Sequence, residues 1–234
     1  MSTIHSQVKL IAHRGLRGEH YENTLPAFIS ACKSAFYGIE TDIQFTKDNK
    51  IICFHDKTLK RLIGEKAKIS ELKYKDLLLK DFKQRTSLTE KTNICPFKKY
   101  LKICRKYKKV CVIEIKYKTT RHQLDKLMKQ IRFYRYLKNC IIISFNADDL
   151  LYLRNKYPTL RLQLIISNPI KRYSSFCKVN KIDASIFDRI INKETVAKLR
   201  SNGIKVAVWT VNSPTQAQRL IDMGVNYITS DYLL

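Results

Sequence analysis

Val8-Lys9-Leu10-Ile11-Ala12, Thr24-Leu25-Pro26-Ala27-Phe28 and Gly38-Ile39-Glu40-Thr41-Asp42-Ile43-Gln44-Phe45 form the opening of a pattern that runs through all 234 residues. A short apolar run suits a buried strand. A Thr with Pro two residues on starts a helix that continues to about Ala35 and stops before Gly38, and a second apolar run follows. The same alternation recurs, with strands expected at Val8–Ala12, Ile39–Phe45, Val110–Ile115, Cys140–Phe145, Leu160–Ile166, Ala184–Phe187, Lys205–Val211 and Tyr227–Thr229. Asn192, with Glu194 behind it, opens another helix that ends at Gly203, and Ser213-Pro214 opens one that ends at Gly224. Strands alternating with helices imply a parallel sheet. Eight of them predict a closed (β/α)8 TIM barrel with its site at the C-terminal strand ends; an open doubly wound sheet is the alternative.

Two intervals break the pattern. Residues 51–95 are too long for one connection, so they are expected to hold a return strand after Lys47-Asp48-Asn49-Lys50 and a lysine-rich insertion. After Thr229 only five residues follow, so the last helix is absent or tiny. The whole of 1–234 is read as a single barrel domain.

The chain is 44% hydrophobic, enough for a large core and too much for global disorder. No apolar run approaches the ~20 residues of a membrane span. Met1-Ser2-Thr3-Ile4-His5-Ser6-Gln7 lacks the basic and apolar regions of a secretory signal, so a cytoplasmic protein is expected. The seven cysteines show no zinc-ligand or CxxC spacing and read as reduced thiols. The net charge is +25, and residues 57–118 hold 20 Lys+Arg against six Asp+Glu. Such a field favours anionic partners, although scattered lysines are also what a solvated basic surface looks like.

Polar residues gather where strands end. His13-Arg14-Gly15 follows the first strand, and Gly15 permits a close backbone approach to an anion. Glu40 and Asp42 lie two apart and share one strand face. Two carboxylates aimed into a barrel mouth repel unless a cation or protons offset them. Glu114 and Lys116 repeat the two-residue spacing, so Glu40, Asp42 and Glu114 make an all-oxygen set suited to one divalent cation, Mg2+ or Ca2+. Lys116 would face a phosphate oxygen. His55-Asp56 closes the run Ile51–Phe54 near the same rim, and Trp209 ends the seventh strand as a core residue or an apolar wall for substrate.

In this order, Ile11–Gly15, Glu22–Phe28, Gly38–Ile43, Phe54–Asp56, Ile113–Lys116, Val208–Asn212 and Gly224–Tyr232 resemble the glycerophosphodiester phosphodiesterase family. The resemblance implies a TIM barrel and metal-dependent hydrolysis of a small phosphodiester to glycerol 3-phosphate and an alcohol. It implies metal ligands at Glu40, Asp42 and Glu114, an acid/base pair at His13 and His55, and phosphate contacts at Arg14 and Lys116. Glu22 and Asn23 match a motif at the same mouth and are expected on the substrate side, with Trp209. The nucleophile is water or the glycerol 2-hydroxyl. Two departures stand out. Tyr21 replaces the family's usual Pro, and Ile94-Cys95-Pro96-Phe97-Lys98-Lys99 replaces an acidic stretch in what is expected to be a loop near the site. A lysophospholipase D that docks on an anionic membrane through 57–118 is the next reading. A non-catalytic barrel binding anions or nucleic acid is the third, and retention of every expected ligand weighs against it.

Overall fold

The computed structural model describes residues 4–83, 92–168 and 173–233; part of the expected insertion, residues 84–91, lies outside them. The eight expected strands are all present: β1 (Lys9–Ala12), β2 (Gly38–Phe45), β5 (Val110–Ile115), β6 (Cys140–Ser144), β7 (Arg161–Ile166), β8 (Asp183–Phe187), β9 (Val206–Trp209) and β10 (Tyr227–Ser230). Every neighbouring pair is parallel, and β1 pairs with both β10 and β2, which closes the ring and excludes the open sheet. Two further strands bracket the insertion: β3 (Ile51–Cys53) pairs antiparallel with β2, and β4 (Cys95–Pro96) pairs antiparallel with β3.

Among the described residues the helices are α1 (Ile4–Gln7), α2 (Leu25–Lys33), α3 (Tyr74–Leu78), α4 (Phe97–Lys106), α5 (Arg121–Phe133), α6 (Ala147–Lys156), α7 (Ser174–Asn180), α8 (Lys193–Ser201) and α9 (Pro214–Asp222), and local chemistry explains several of their starts. The Thr24 side chain accepts from Ala27 N–H at the start of α2 (Leu25–Lys33), and Thr120 and Gln123 form a reciprocal capping box on α5 (Arg121–Phe133). Pro214 sits in the first turn of α9 (Pro214–Asp222), as its spacing predicted. The Ile94–Lys99 stretch is not a loop: Cys95–Pro96 is a strand, and Phe97 starts α4 (Phe97–Lys106) with a buried ring.

Strand parity divides the core. Ile39, Ile43, Ile113 and Ile115 face outward into the layer shared with the helices. Ile11, Val112, Ile141, Ile143, Ile165, Ala207 and Tyr227 fill the barrel interior. The insertion has a small core of its own, with Leu59, Leu62, Ile69 and Leu77 packed on Phe54 and Tyr21. Tyr21, the residue standing in place of Pro, contacts Phe82 edge-on at 5.3 Å and donates its hydroxyl to Lys83 C=O at 2.6 Å.

Gly15 follows β1 at φ +80°, and a Cβ there would lie 2.8 Å from the Ala27 backbone. Gly15→Ala should therefore lower stability by about 1–3 kcal/mol, from left-handed strain plus overpacking. A urea midpoint that falls with m unchanged would show it; an unchanged midpoint would contradict it.

Candidate active site

The interior parity that carries apolar residues through the barrel carries polar ones at its mouth. Val112 is followed on the same face by Glu114 and Lys116, Ile11 by His13, and Tyr227 by Thr229 and Asp231. The β2–β5 register sets Asp42 beside Glu114. One carboxylate oxygen each from Glu40, Asp42 and Glu114 consequently falls within 4.8 Å of the other two, and all three residues are buried.

Such a cluster requires compensation. Arg14 adopts the left-handed backbone region (φ 55°), which costs roughly 1–2 kcal/mol for a non-glycine residue. In that conformation its N–H donates to Glu40 Oε2 at 2.8 Å, and its carbonyl accepts from Asn23 N–H. Its guanidinium lies 3.2 Å from Asp42 and donates to Glu22 at 2.8 Å. Lys116 donates to Glu114 at 2.9 Å and sits 3.4 Å from Asp42. Asn23 donates to Asp42 at 2.8 Å and accepts from the Thr41 hydroxyl at 2.7 Å.

The carboxyls respond unequally. Burial, then the charges of Asp42 and Glu114, pushes Glu40 well above the carboxylate range. Burial and Asp42 push Glu114 up to about 7 against the pull of Lys116. Burial would raise Asp42 too, but Arg14, Lys116 and His55 together with the Asn23 bond hold it below its ordinary value. Glu40 Oε1 and Asp42 Oδ1 are buried and have no hydrogen-bond partner among the described residues. Unpaired oxygens on hard donors suit a cation such as Mg2+ or Ca2+, and no other group of this kind occurs among the described residues. The cysteines are all buried, free and outside the cluster.

Each histidine leans on an aspartate. His13 Nδ1 is 2.7 Å from Asp231, and His55 Nδ1 is 2.7 Å from Asp56. A carboxylate at Nδ1 favours the tautomer with the proton there and leaves the Nε2 lone pair for other work. Burial lowers both imidazoles below their usual value, opposed at His13 by the Asp231 bond and at His55 by the charge of Asp42. Across the mouth, Trp209, Phe145, Ile143 and Ile165 form an apolar wall in a cavity shared with His13, Glu40 and Glu114. Trp209 N–H donates to Ser185 C=O, and its ring meets Phe187 at 5.2 Å.

All ten residues singled out in the sequence gather at this mouth, eight of them around the opening. Glu22 and Asn23 are buried behind it, engaged with Arg14 and Asp42. Three participants have no role in the sequence reading: Asp56 and Asp231, which lie inside the motifs Phe54–Asp56 and Gly224–Tyr232, and Arg61. Asp231 continues the inward parity of β10 and was findable on that ground. Arg61, on the insertion, donates to both Glu22 and Asp56 and had no periodic signal.

The model of the glycerophosphoryl diester phosphodiesterase family matches residues 13–234. The chain belongs to that family. Among curated proteins, a glycerophosphodiester phosphodiesterase of Bacillus altitudinis is 27% identical, covering 96% of this chain and 94% of its own. A human lysophospholipase D is 25% identical over 96% of this chain and 83% of its own. Among solved structures, an Oleispira antarctica phosphodiesterase in complex with its product sn-glycerol-3-phosphate superposes with a TM-score of 0.83 at 19% identity, covering 99% and 96% of the two chains. The barrel and the buried acidic triad are thus features of a family member.

The raised carboxyls would make any divalent cation at the triad compete with protons. Glu114 has its folded-state value raised to about 7, so it keeps a proton at pH 6 that a bound cation must displace, and has lost most of it by pH 8. Cation affinity should fall by up to about tenfold per pH unit below 7. Calorimetry in two buffers should show more proton release at pH 6 than at pH 8, with Glu114→Gln removing the difference. Equal affinity at both pH values would contradict this account of the triad.

Proposed function

We propose that the protein hydrolyses glycerophosphodiesters to sn-glycerol 3-phosphate and an alcohol, with one divalent cation, Mg2+ or Ca2+, held by Glu40, Asp42 and Glu114. This reading takes 1–234 as one catalytic barrel. The observation that carries it is one barrel mouth joining a buried carboxylate triad, two cations and two aspartate-bonded histidines. Family membership and the names of the relatives agree with it.

When bound, the cation supplies charge neutralisation at a phosphoryl oxygen. Arg14 and Lys116 complete the clamp on the phosphate; each is held in place by carboxylates, so little reorganisation is needed as charge develops. The Nε2 lone pair of one histidine takes the proton of the attacking oxygen, from water or from the glycerol 2-hydroxyl, the latter giving a cyclic phosphate that water then opens to glycerol 3-phosphate. The other histidine protonates the leaving alkoxide. Both imidazoles are lowered in the free protein, so one must gain a proton on substrate binding, and an adjacent phosphate anion favours that charged form. Trp209 and Phe145 would pack against the glycerol or the departing alcohol.

Release of glycerol 3-phosphate from glycerophosphocholine and glycerophosphoethanolamine, with Mg2+, Ca2+ or EDTA, tests this directly. Turnover should require the cation. His13→Ala and His55→Ala should each lower kcat by roughly 10²–10⁴-fold, and Glu40→Ala should abolish the cation response. The pH profile should be bell-shaped; no turnover by the folded, cation-loaded protein, or a flat profile from pH 5 to 9, would refute the reading.

A second reading, lysophospholipase D action at an anionic membrane, is favoured by one flank of the barrel. Helix α4 carries five cations and no acid, with Lys98, Lys99, Lys102, Arg105 and Lys106 all exposed. Beside it a groove is lined by Lys50, Lys98, Lys126, Lys129 and Phe133, whose ring is 79% exposed. An apolar side chain among lysines fits a headgroup layer, where each cation near the surface contributes about 1 kcal/mol. The charge of 57–118 acts here through α4, joined by α5 outside that range. The protein should sediment with phosphatidylglycerol vesicles at low salt, and the double charge reversal Lys129→Glu/Arg132→Glu should weaken this while turnover of glycerophosphocholine persists. Absence of vesicle binding at low salt would remove this reading.

A further inference from the structure

Arg61 lies outside the barrel, yet its guanidinium is bonded to two carboxylates that each hold a residue of the proposed machinery. Its Nη1 and Nη2 donate to Glu22 Oε2 and Oε1 at 2.9 and 2.6 Å. Its Nε and Nη2 donate to Asp56 Oδ2 and Oδ1 at 2.6 and 3.1 Å. Each carboxylate has a second task. Glu22 Oε1 also accepts from Arg14 Nη1 at 2.8 Å, and Asp56 Oδ1 holds His55 Nδ1 at 2.7 Å.

We propose that Arg61 is a positioning residue that aligns Arg14 through Glu22 and His55 through Asp56 at the same time. The proposal rests on the roles given above to Arg14 and His55.

The planar fork is suited to this work. A guanidinium can present paired N–H groups to two carboxylates on different edges, whereas an ammonium acts as a point charge. Its support is rigid as well. Arg61 sits in a turn between the buried Leu59 and Leu62. Backbone bonds from Ile63 and Gly64 N–H to Leu59 C=O close that turn, and Lys83 N–H donates to Leu62 C=O across the insertion. Tyr21, the residue before Glu22, packs in the same small core. The insertion therefore fixes both the guanidinium and one of its two partners. Glu22 shows the strength of the arrangement: burial would raise its carboxyl, but the Arg61 hydrogen bonds and the charges of Arg14 and Arg61 hold it well below the carboxylate range.

Two arms predict two separable losses. Without the Glu22 arm, Arg14 is less well aimed at the phosphate, which weakens binding. Without the Asp56 arm, Asp56 is free to turn away from His55, whose tautomer is then less firmly set, which slows the chemical step. Groups that orient a functional residue from behind typically cost 10–100-fold when removed.

The test compares Arg61→Ala, Arg61→Lys, Glu22→Gln and Asp56→Asn in the full chain, by kcat, KM and thermal melting, together with ¹⁵N NMR of the His55 ring. Arg61→Ala should stay folded, raise KM and lower kcat, with kcat/KM down 10–100-fold per folded molecule. Glu22→Gln should reproduce chiefly the KM change and Asp56→Asn chiefly the kcat change. Adding Asp56→Asn to Arg61→Ala should cost less than it does alone. Arg61→Lys should restore only part of the loss. In the NMR spectra Arg61→Ala should shift His55 from the Nδ1–H form toward a mixture of tautomers. Wild-type kinetics per folded molecule in Arg61→Ala, or an unchanged His55 tautomer, would overturn the proposal. The NMR readout needs no substrate, so an inactive wild-type protein would refute the proposed reaction without being mistaken for failure of the Arg61 arrangement.

Discussion

Three carboxylates within 4.8 Å of one another in a buried barrel mouth are the costliest arrangement in this fold, and much of the surrounding geometry offsets that cost. Like charges removed from water repel strongly, and desolvation adds to the penalty. The fold answers with Arg14 and Lys116 at the same oxygens, and with Asn23 donating an amide to Asp42. It also leaves two oxygens, Glu40 Oε1 and Asp42 Oδ1, without a hydrogen bond among the described residues. The left-handed backbone at Arg14 and Asn23 follows from the same demand, because it lets a main-chain N–H and a side-chain amide reach Glu40 and Asp42 from one short segment. The hydrogen bond from Asn23 N–H to Arg14 C=O ties the two bends together.

The barrel itself was legible because burial imposes a period. Each of the eight strands follows from an apolar run of the right length, and capping residues such as Thr24, Asn192 and Pro214 stand at helix starts. The site was legible for the same reason: Glu40 and Asp42, then Glu114 and Lys116, lie two apart on strands, so parity alone puts each pair on one face. Asp231 obeys that rule too and has no role in the sequence reading because it stands just beyond the end of β10. Arg61 obeys no period. Its turn is placed by tertiary packing of Leu59 and Leu62 against Phe54, a contact between segments that nothing in local spacing encodes. The Ile94–Lys99 stretch was misread as a loop for a related reason. Cys95 and Pro96 pair with β3, a partner that precedes them by some forty residues, and Ile94 packs in the insertion's core.

Tyr21 shows how one departure from the family pattern can accompany another. Its ring is part of the insertion's core, and its hydroxyl bonds the far end of that insertion at Lys83. A proline could fill part of that space but could not donate to the carbonyl. Glu22 follows directly in the chain, so the packing that holds the insertion down also sets the height of a carboxylate shared by Arg14 and Arg61.

The mouth is consequently divided into two arcs with different physical character. On one arc the ends of β1, β2, β5 and β10, with the insertion above them, supply nearly every charged group, and each is fixed by at least one partner. On the other arc, the ends of β6 to β9 present Ile143, Phe145, Ile165, Phe187 and Trp209, with few polar atoms among them. Charged groups locked by many hydrogen bonds tolerate little change, because losing one partner leaves another buried and unpaired. Aromatic and aliphatic walls hold shape through packing alone and can be altered at modest cost. On the proposed reading the first arc is where phosphate would be held, and the second is where a changed ring would reshape the cavity and leave the charge balance of the triad intact.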